Sequence, residues 1–229
     1  MVAAHTTTQP QPAPADADRA SGHEALVIGA SAGGVDAVGQ LLAALPAGCP
    51  LAVMVVIHIP PERPSLLAGL FAARCALPVT EACDKAPIRP GEVLIAPPDY
   101  HLLVEPGRTV ALSMDEPVLY SRPAIDPLFE SAAVAWGARL LAILLTGGSA
   151  DGSQGLAAVR RCGGTAWVQD PLTAAVPTMP AAGLAAAGAD AVLDLPEMAR
   201  RLAARRGDGA SGATEPRLAR PGLSQPNKG

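Results

Sequence analysis

Residues 26–46 read LVIGASAGGVDAVGQLLAALP: an apolar run, a Gly-Ala-Ser-Ala-Gly-Gly loop, then apolar residues at helical spacing. Two machines share this strand–loop–helix layout. One is a glycine loop that cradles the phosphates of a dinucleotide, and the other is a nucleophile elbow that lifts a serine off the end of a strand. The phosphate reading needs G-x-G-x-x-G, but Ser31 stands at the second glycine. It also needs an acid roughly twenty positions on, and the next apolar run ends instead in Ile57-His58-Ile59-Pro60. A P-loop needs Gly-Lys-Ser/Thr, and the first lysine of the chain is Lys85. The elbow pattern G-x-S-x-G is met by Gly29-Ala30-Ser31-Ala32-Gly33. On the pattern alone, a tight turn holding an incidental serine fits equally well.

Outward from this loop, short aliphatic runs alternate with amphipathic segments. ALVIGA (25–30), LAVMVVIHI (51–59), EVLIAP (92–97), RLLAILLTGG (139–148) and TAWVQD (165–170) read as strands. VDAVGQLLAAL (35–45), PSLLAGLFAARCAL (64–77), IDPLFESAAVAWGA (125–138), SQGLAAVRRCG (153–163) and MPAAGLAAAG (179–188) read as helices, and DAVLDL (190–195) and PEMARRLAAR (196–205) close the domain. Asp126 is expected as the N-cap of the third helix, with Pro127 at its first position. Pro106-Gly107 predicts a hairpin within 101–114. Strands without polar alternation, separated by helices, predict a doubly wound, three-layer αβα domain around a mostly parallel sheet.

The 229 residues suit one domain, with 49% apolar residues for a core but only 3% aromatics. Residues 1–24 and 205–229 are rich in Pro, Gly, Ala and polar residues, and are expected to be disordered tails flanking a domain over 25–204. No signal peptide is recognisable, and Gly137 and Arg139 interrupt the best candidate for a membrane helix, so a cytoplasmic protein without membrane insertion is expected. Cys49, Cys75, Cys83 and Cys162 are scattered without C-x-x-C pairs or histidines at ligand spacing, which argues against zinc. The net charge of −4 divides into −9 over residues 1–199 and +5 beyond, where seven Arg/Lys face Asp208 and Glu215. An acidic body argues against a nucleic-acid surface, and the arginine-rich end reads as a solvated extension.

Parallel sheets do their chemistry at the carboxyl ends of their strands. A serine there needs a base. His5 and His23 fall in the expected tail, His101 begins a hairpin strand, and His58 follows the second strand on the same sheet edge as Ser31. Asp151 follows the long strand at 139–148, in a Gly/Ser loop, and is the best candidate to orient the histidine. Asp84, Asp99 and Asp170 lie in turn-like contexts.

These strand ends resemble the catalytic domain of the chemotaxis protein-glutamate methylesterases (CheB). The resemblance rests on VIGASAGG with Ser31, HIPP with His58, RPAID at 122–126, LLTGGSADG with Asp151, and QD…TMP at 169–180, and it spans about 25–200. It implies Ser31 as nucleophile, His58 as general base and acid, and Asp151 as the orienting carboxylate, with Ala32, Gly33 and Gly148 in the oxyanion and active-site loops. It implies hydrolysis of glutamyl methyl esters on the cytoplasmic helices of chemoreceptors, together with deamidation of receptor glutamines, and no metal or organic cofactor. Three features depart from the family pattern. Only about 24 residues precede the first strand, so a receiver domain is not expected in this sequence, and a separate signalling regulator would stand in for it. Ala32 occupies the position of a usual Thr, and Thr146-Gly147-Gly148-Ser149 replaces a usual Thr-Gly-Met-Gly. A catalytically weak adaptor of the same fold and a nucleotide-binding α/β domain are the alternative readings.

Overall fold

The computed structural model describes residues 22–59 and 65–205; of the tails expected at 1–24 and 205–229, residues 1–21 and 206–229 lie outside the described residues, as does Pro60-Pro61. Six fully buried residues form each of β1 (Ala25–Ala30) and β2 (Ala52–Ile57), the two strands that read as unbroken aliphatic runs. They pair in parallel, Ala30 opposite Ile57. β3 (Val79–Glu81), β4 (Val93–Ile95), β7 (Leu140–Leu144), β8 (Thr165–Gln169) and β9 (Ala191–Leu193) complete a seven-stranded sheet in the order β3-β4-β2-β1-β7-β8-β9, every described pairing parallel. β5 (His101–Val104) and β6 (Val110–Ser113) form the expected antiparallel hairpin as a separate two-stranded sheet.

Side chains alternate across the sheet, and each face feeds its own core. Leu26, Ile28, Val53 and Val55 pack with residues of α1 (Gly34–Ala44), α2 (Leu67–Ala72) and α6 (Leu195–Ala203). Val27, Met54 and Val56 pack with α3 (Ile125–Trp136), α4 (Ser153–Arg161), α5 (Thr178–Ala187) and the hairpin. Fully burying one such aliphatic side chain stabilises by roughly 1.5–3 kcal/mol, so the paired faces of β1 and β2 anchor the domain. The chain leaves β1 towards β2 on one side and returns to β7 on the other, which makes the end of β1 the point where the winding reverses. Crevices for ligands form at such points.

Several expectations change. The second helix is confined to 67–72, far shorter than the 64–77 pattern, and the edge strand β3 follows a stretch that gave no strand signal. His23 belongs to the ordered domain: its ring bonds Thr165 Oγ1 (2.9 Å) and Arg205 (2.8 Å), and burial with the neighbouring Arg205 charge lowers its pKa to about 4. Glu24 bonds Arg108 and Arg139. The arginine-rich end begins as packed structure, with Arg201 and Arg205 each 5.8 Å from the Trp167 ring, a range in which cation–π attraction operates. No helix among the described residues is long and apolar enough to cross a membrane. All four cysteines are unbridged.

Candidate active site

Ser31 follows β1 directly and His58 follows β2 directly; because the strands pair in register to Ala30–Ile57, the two residues emerge side by side. The backbone locks this: the His58 amide donates to the Ala30 carbonyl (3.1 Å), and the Ser31 amide donates to the Thr146 carbonyl (2.9 Å) beyond β7. Gly147 is the close-approach glycine of that loop, since a Cβ there would lie 2.6 Å from Met179 and 2.9 Å from the Ser31 Cβ. Gly148, the residue singled out in the sequence, is exposed, and a Cβ there would meet only Val176, at 4.0 Å. Gly33 takes φ 76° at the start of α1, a left-handed conformation that favours glycine.

Thr146 and Gln169 stitch the remaining strand ends to the serine loop. The Thr146 hydroxyl donates to the Ala32 carbonyl (2.9 Å) and accepts from the Val176 amide (2.9 Å), while the buried Gln169 side-chain oxygen accepts from the Thr146 amide (2.9 Å). The Ala32, Gly33 and Gly148 amides have no hydrogen-bond partner among the described residues. Ala32 and Gly33 lie at the N-terminus of α1, whose dipole favours negative charge. The Ser31 hydroxyl also has no partner among the described residues.

Asp151 is the most constrained polar group of the site. It is completely buried, and its carboxylate accepts four hydrogen bonds. Oδ2 takes His58 Nε2 (2.7 Å) and the Ile125 amide (2.6 Å); Oδ1 takes the Asp126 amide (3.0 Å) and its neighbour Gly152 (2.9 Å). Burial works to raise its pKa, but the bonds from His58, Ile125 and Asp126 and the His58 charge outweigh it and hold the carboxyl below its ordinary value. An ionised carboxylate only accepts, so Nε2 carries the hydrogen and Nδ1 is left as the basic nitrogen of His58. A cavity of about 370 Å3 opens beside it, lined by His58, Ile59, Asp99, Pro117, Tyr120, Ser121 and Arg122.

Asp126 is not the N-cap. Ala124 holds that position without a side-chain cap, and the acceptor for the first amides of α3 is Asp151, reaching in from the loop before α4. Asp126 returns the arrangement, its Oδ1 accepting from Gly155 of α4 (2.7 Å). The two helices therefore cap one another through exchanged aspartates. Burial, then the nearby Asp151 and Glu130 charges, raise Asp126 to about 6 against amide bonds that pull it down. A raised folded pKa contributes stability that is present below the ordinary carboxylate value and lost as pH rises through 6. Asp126→Asn should therefore gain on the wild type between pH 4 and 7.5 by on the order of 1 kcal/mol, the scale of one pKa unit. Urea unfolding at several pH values reads this, and a pH-independent difference would refute it.

His101 serves structure. Its ring is buried, with Nε2 bonded to the Glu116 carbonyl (3.2 Å) and Nδ1 accepting from the Ala124 amide (3.2 Å). Asp99 pairs with Arg122, Asp84 accepts from the Leu112 amide of β6, and Asp170 accepts from the Leu172 amide of its own turn.

A serine beside a helix N-terminus, with a carboxylate-held histidine on the next strand, has the parts for acyl transfer. Fold and strand-end site together define a three-layer α/β domain of hydrolytic type. The chain belongs to the CheB methylesterase family, whose profile matches residues 26–202. It is 40% identical over 177 residues to a Leptospira interrogans protein provisionally named protein-glutamate methylesterase/protein-glutamine glutaminase, covering 77% of this chain and 92% of that one. It is 44% identical over 198 residues to the Nocardioides protein-glutamate methylesterase/protein-glutamine glutaminase, covering 81% of this chain but 52% of that protein. The Thermotoga maritima CheB methylesterase catalytic domain superposes with a TM-score of 0.75 at 32% identity, covering 79% of this chain and 97% of that one.

Proposed function

We propose that the chain is a serine esterase that removes methyl groups from glutamyl side chains of chemoreceptor cytoplasmic helices, and that it also deamidates receptor glutamines. The observation that carries this reading is the His58–Asp151 pair at the sheet edge that also presents Ser31. Ser31 Oγ attacks the ester carbonyl while His58 Nδ1 takes its proton, and Asp151 stabilises the resulting imidazolium through Nε2–H. The oxyanion is met by the free amides of Ala32, Gly33 and Gly148; losing one such donor typically costs roughly 100-fold or more in rate. His58 then gives its proton to departing methanol, or to ammonia when the substrate is a glutamine. A water molecule, deprotonated by the same nitrogen, attacks the acyl-enzyme and releases free glutamate with Ser31 restored.

The test uses a methylated chemoreceptor cytoplasmic fragment and a serine-directed fluorophosphonate. Methanol release together with phosphonate labelling at Ser31 is the expected result. A chain that binds the fragment but neither releases methanol nor labels is an adaptor, and the reading fails.

A further inference from the structure

We propose that the turn at Leu119–Tyr120 is a docking arm for the polypeptide carrying the methyl ester, gripping an aliphatic side chain of that segment next to the scissile group. This rests on the methylesterase reading above. Val118 and Ser121 exchange two backbone hydrogen bonds (3.1 and 2.9 Å), which leaves Leu119 and Tyr120 as the tip of a tight turn. Both adopt positive φ, 45° and 66°, a conformation costly for residues with side chains. Such strain persists only where the surroundings hold it. Here Arg122 bonds Asp99 (2.6 and 3.0 Å) and the carbonyls of Met114 and Asp115, while the buried His101 ring ties the Glu116 carbonyl to the start of α3.

What this scaffold holds out is apolar. Tyr120 is 101% exposed and Leu119 50%. An aromatic ring on a braced turn has only two side-chain torsions to fix, so it offers contact area at small entropic cost on binding. Its place beside the site decides the occupant. Tyr120 and Pro117 line both the cavity that contains His58 and Ile59 and a second one of about 570 Å3 with Glu116 and Leu119. The arm therefore shares a wall with the cavity of the candidate base, and a chain that presents its ester to His58 passes within reach of it. A helix repeats every ~5.4 Å, so a helical segment can set an aliphatic residue against Tyr120 about one turn from the methylated glutamyl. Helix-in-groove recognition uses anchors at this spacing.

The experiment compares Tyr120→Ala and Tyr120→Phe with the wild-type chain on two substrates: a methylated chemoreceptor cytoplasmic fragment, and an N-acetylated, C-amidated glutamate γ-methyl ester. Tyr120→Ala should lose about tenfold in kcat/KM on the fragment relative to its change on the small ester, mostly through KM, the loss expected of one buried aromatic anchor. Tyr120→Phe, which keeps the ring, should retain most of the preference. Equal losses on both substrates, or none on the fragment, would overturn the arm. A dimer of the wild type that dissociates in Tyr120→Ala would overturn it too, by giving the tip to a second copy. A wild-type chain that hydrolyses neither substrate would remove the methylesterase reading itself, and the arm with it.

Discussion

Ser31→Ala should reduce methanol release from a methylated receptor fragment by about 10^4-fold or more, with no loss of fold. Residual rates in serine hydrolases stripped of the nucleophile come from the oxyanion hole and binding alone, which sets that scale. The substitution keeps the Cβ that packs at Gly147, and the lost hydroxyl has no partner among the described residues, so stability should change by no more than about 0.5 kcal/mol. Labelling by the phosphonate should vanish with activity. A variant retaining a tenth of the wild-type rate would sink the serine mechanism.

Asp151→Asn should be damaging in two ways at once. All four acceptor sites of the carboxylate face donors, so an Asn amide set in either orientation places its NH2 group against two of them. One escape is for His58 to give up its Nε2 hydrogen and accept from the amide, which puts the proton on Nδ1, where the base is required. In a triad this wrong tautomer costs about 10^4-fold in kcat. That orientation still sets the NH2 against the Ile125 amide, and the opposite one leaves the buried amides of Asp126 and Gly152 unsatisfied, at about 1–3 kcal/mol for each such group. Activity and stability should therefore fall together, in contrast to Ser31→Ala. The sign with pH is also fixed. The carboxyl lies below its ordinary 3.8 in the folded protein, so its contribution is present above that value and lost as pH falls through the folded pKa. Wild type and variant should converge in stability on acidification, and a constant gap would argue against the assignment.

What the sequence displays best is what a parallel sheet forces on it. β1, β2 and β7 are buried on both faces, so their aliphatic runs stand out, and the residues just past them mark the reactive edge. Ser31, His58 and Asp151 stand out as candidates from that edge, and the structure joins His58 to Asp151 by a hydrogen bond. What escapes is whatever depends on partners distant in the chain. Asp126 looks like a cap because an Asp-Pro pair opens an apolar helix; its partner, Gly155, lies in the first turn of α4, and the cap of its own helix is borrowed from Asp151. His23 and Glu24 look like tail residues until Thr165, Arg205, Arg108 and Arg139 are folded against them. Gly147 and Gly148 are indistinguishable in one dimension; only the approach of Met179 and Ser31 separates them. The exposed tip at Leu119–Tyr120 carries no glycine to announce its left-handed backbone.

The exchange of aspartates between α3 and α4 bears on how such a domain could lose its chemistry over generations. Because Asp151 caps a helix of the core as well as holding His58, drift at that position costs stability along with the proposed activity, and selection for any remaining role favours retaining it. Ser31 carries no such second duty. A descendant that abandons hydrolysis but keeps the fold is therefore expected to forfeit its serine early and its aspartate last, so an intact acid would say little about whether a relative still turns over.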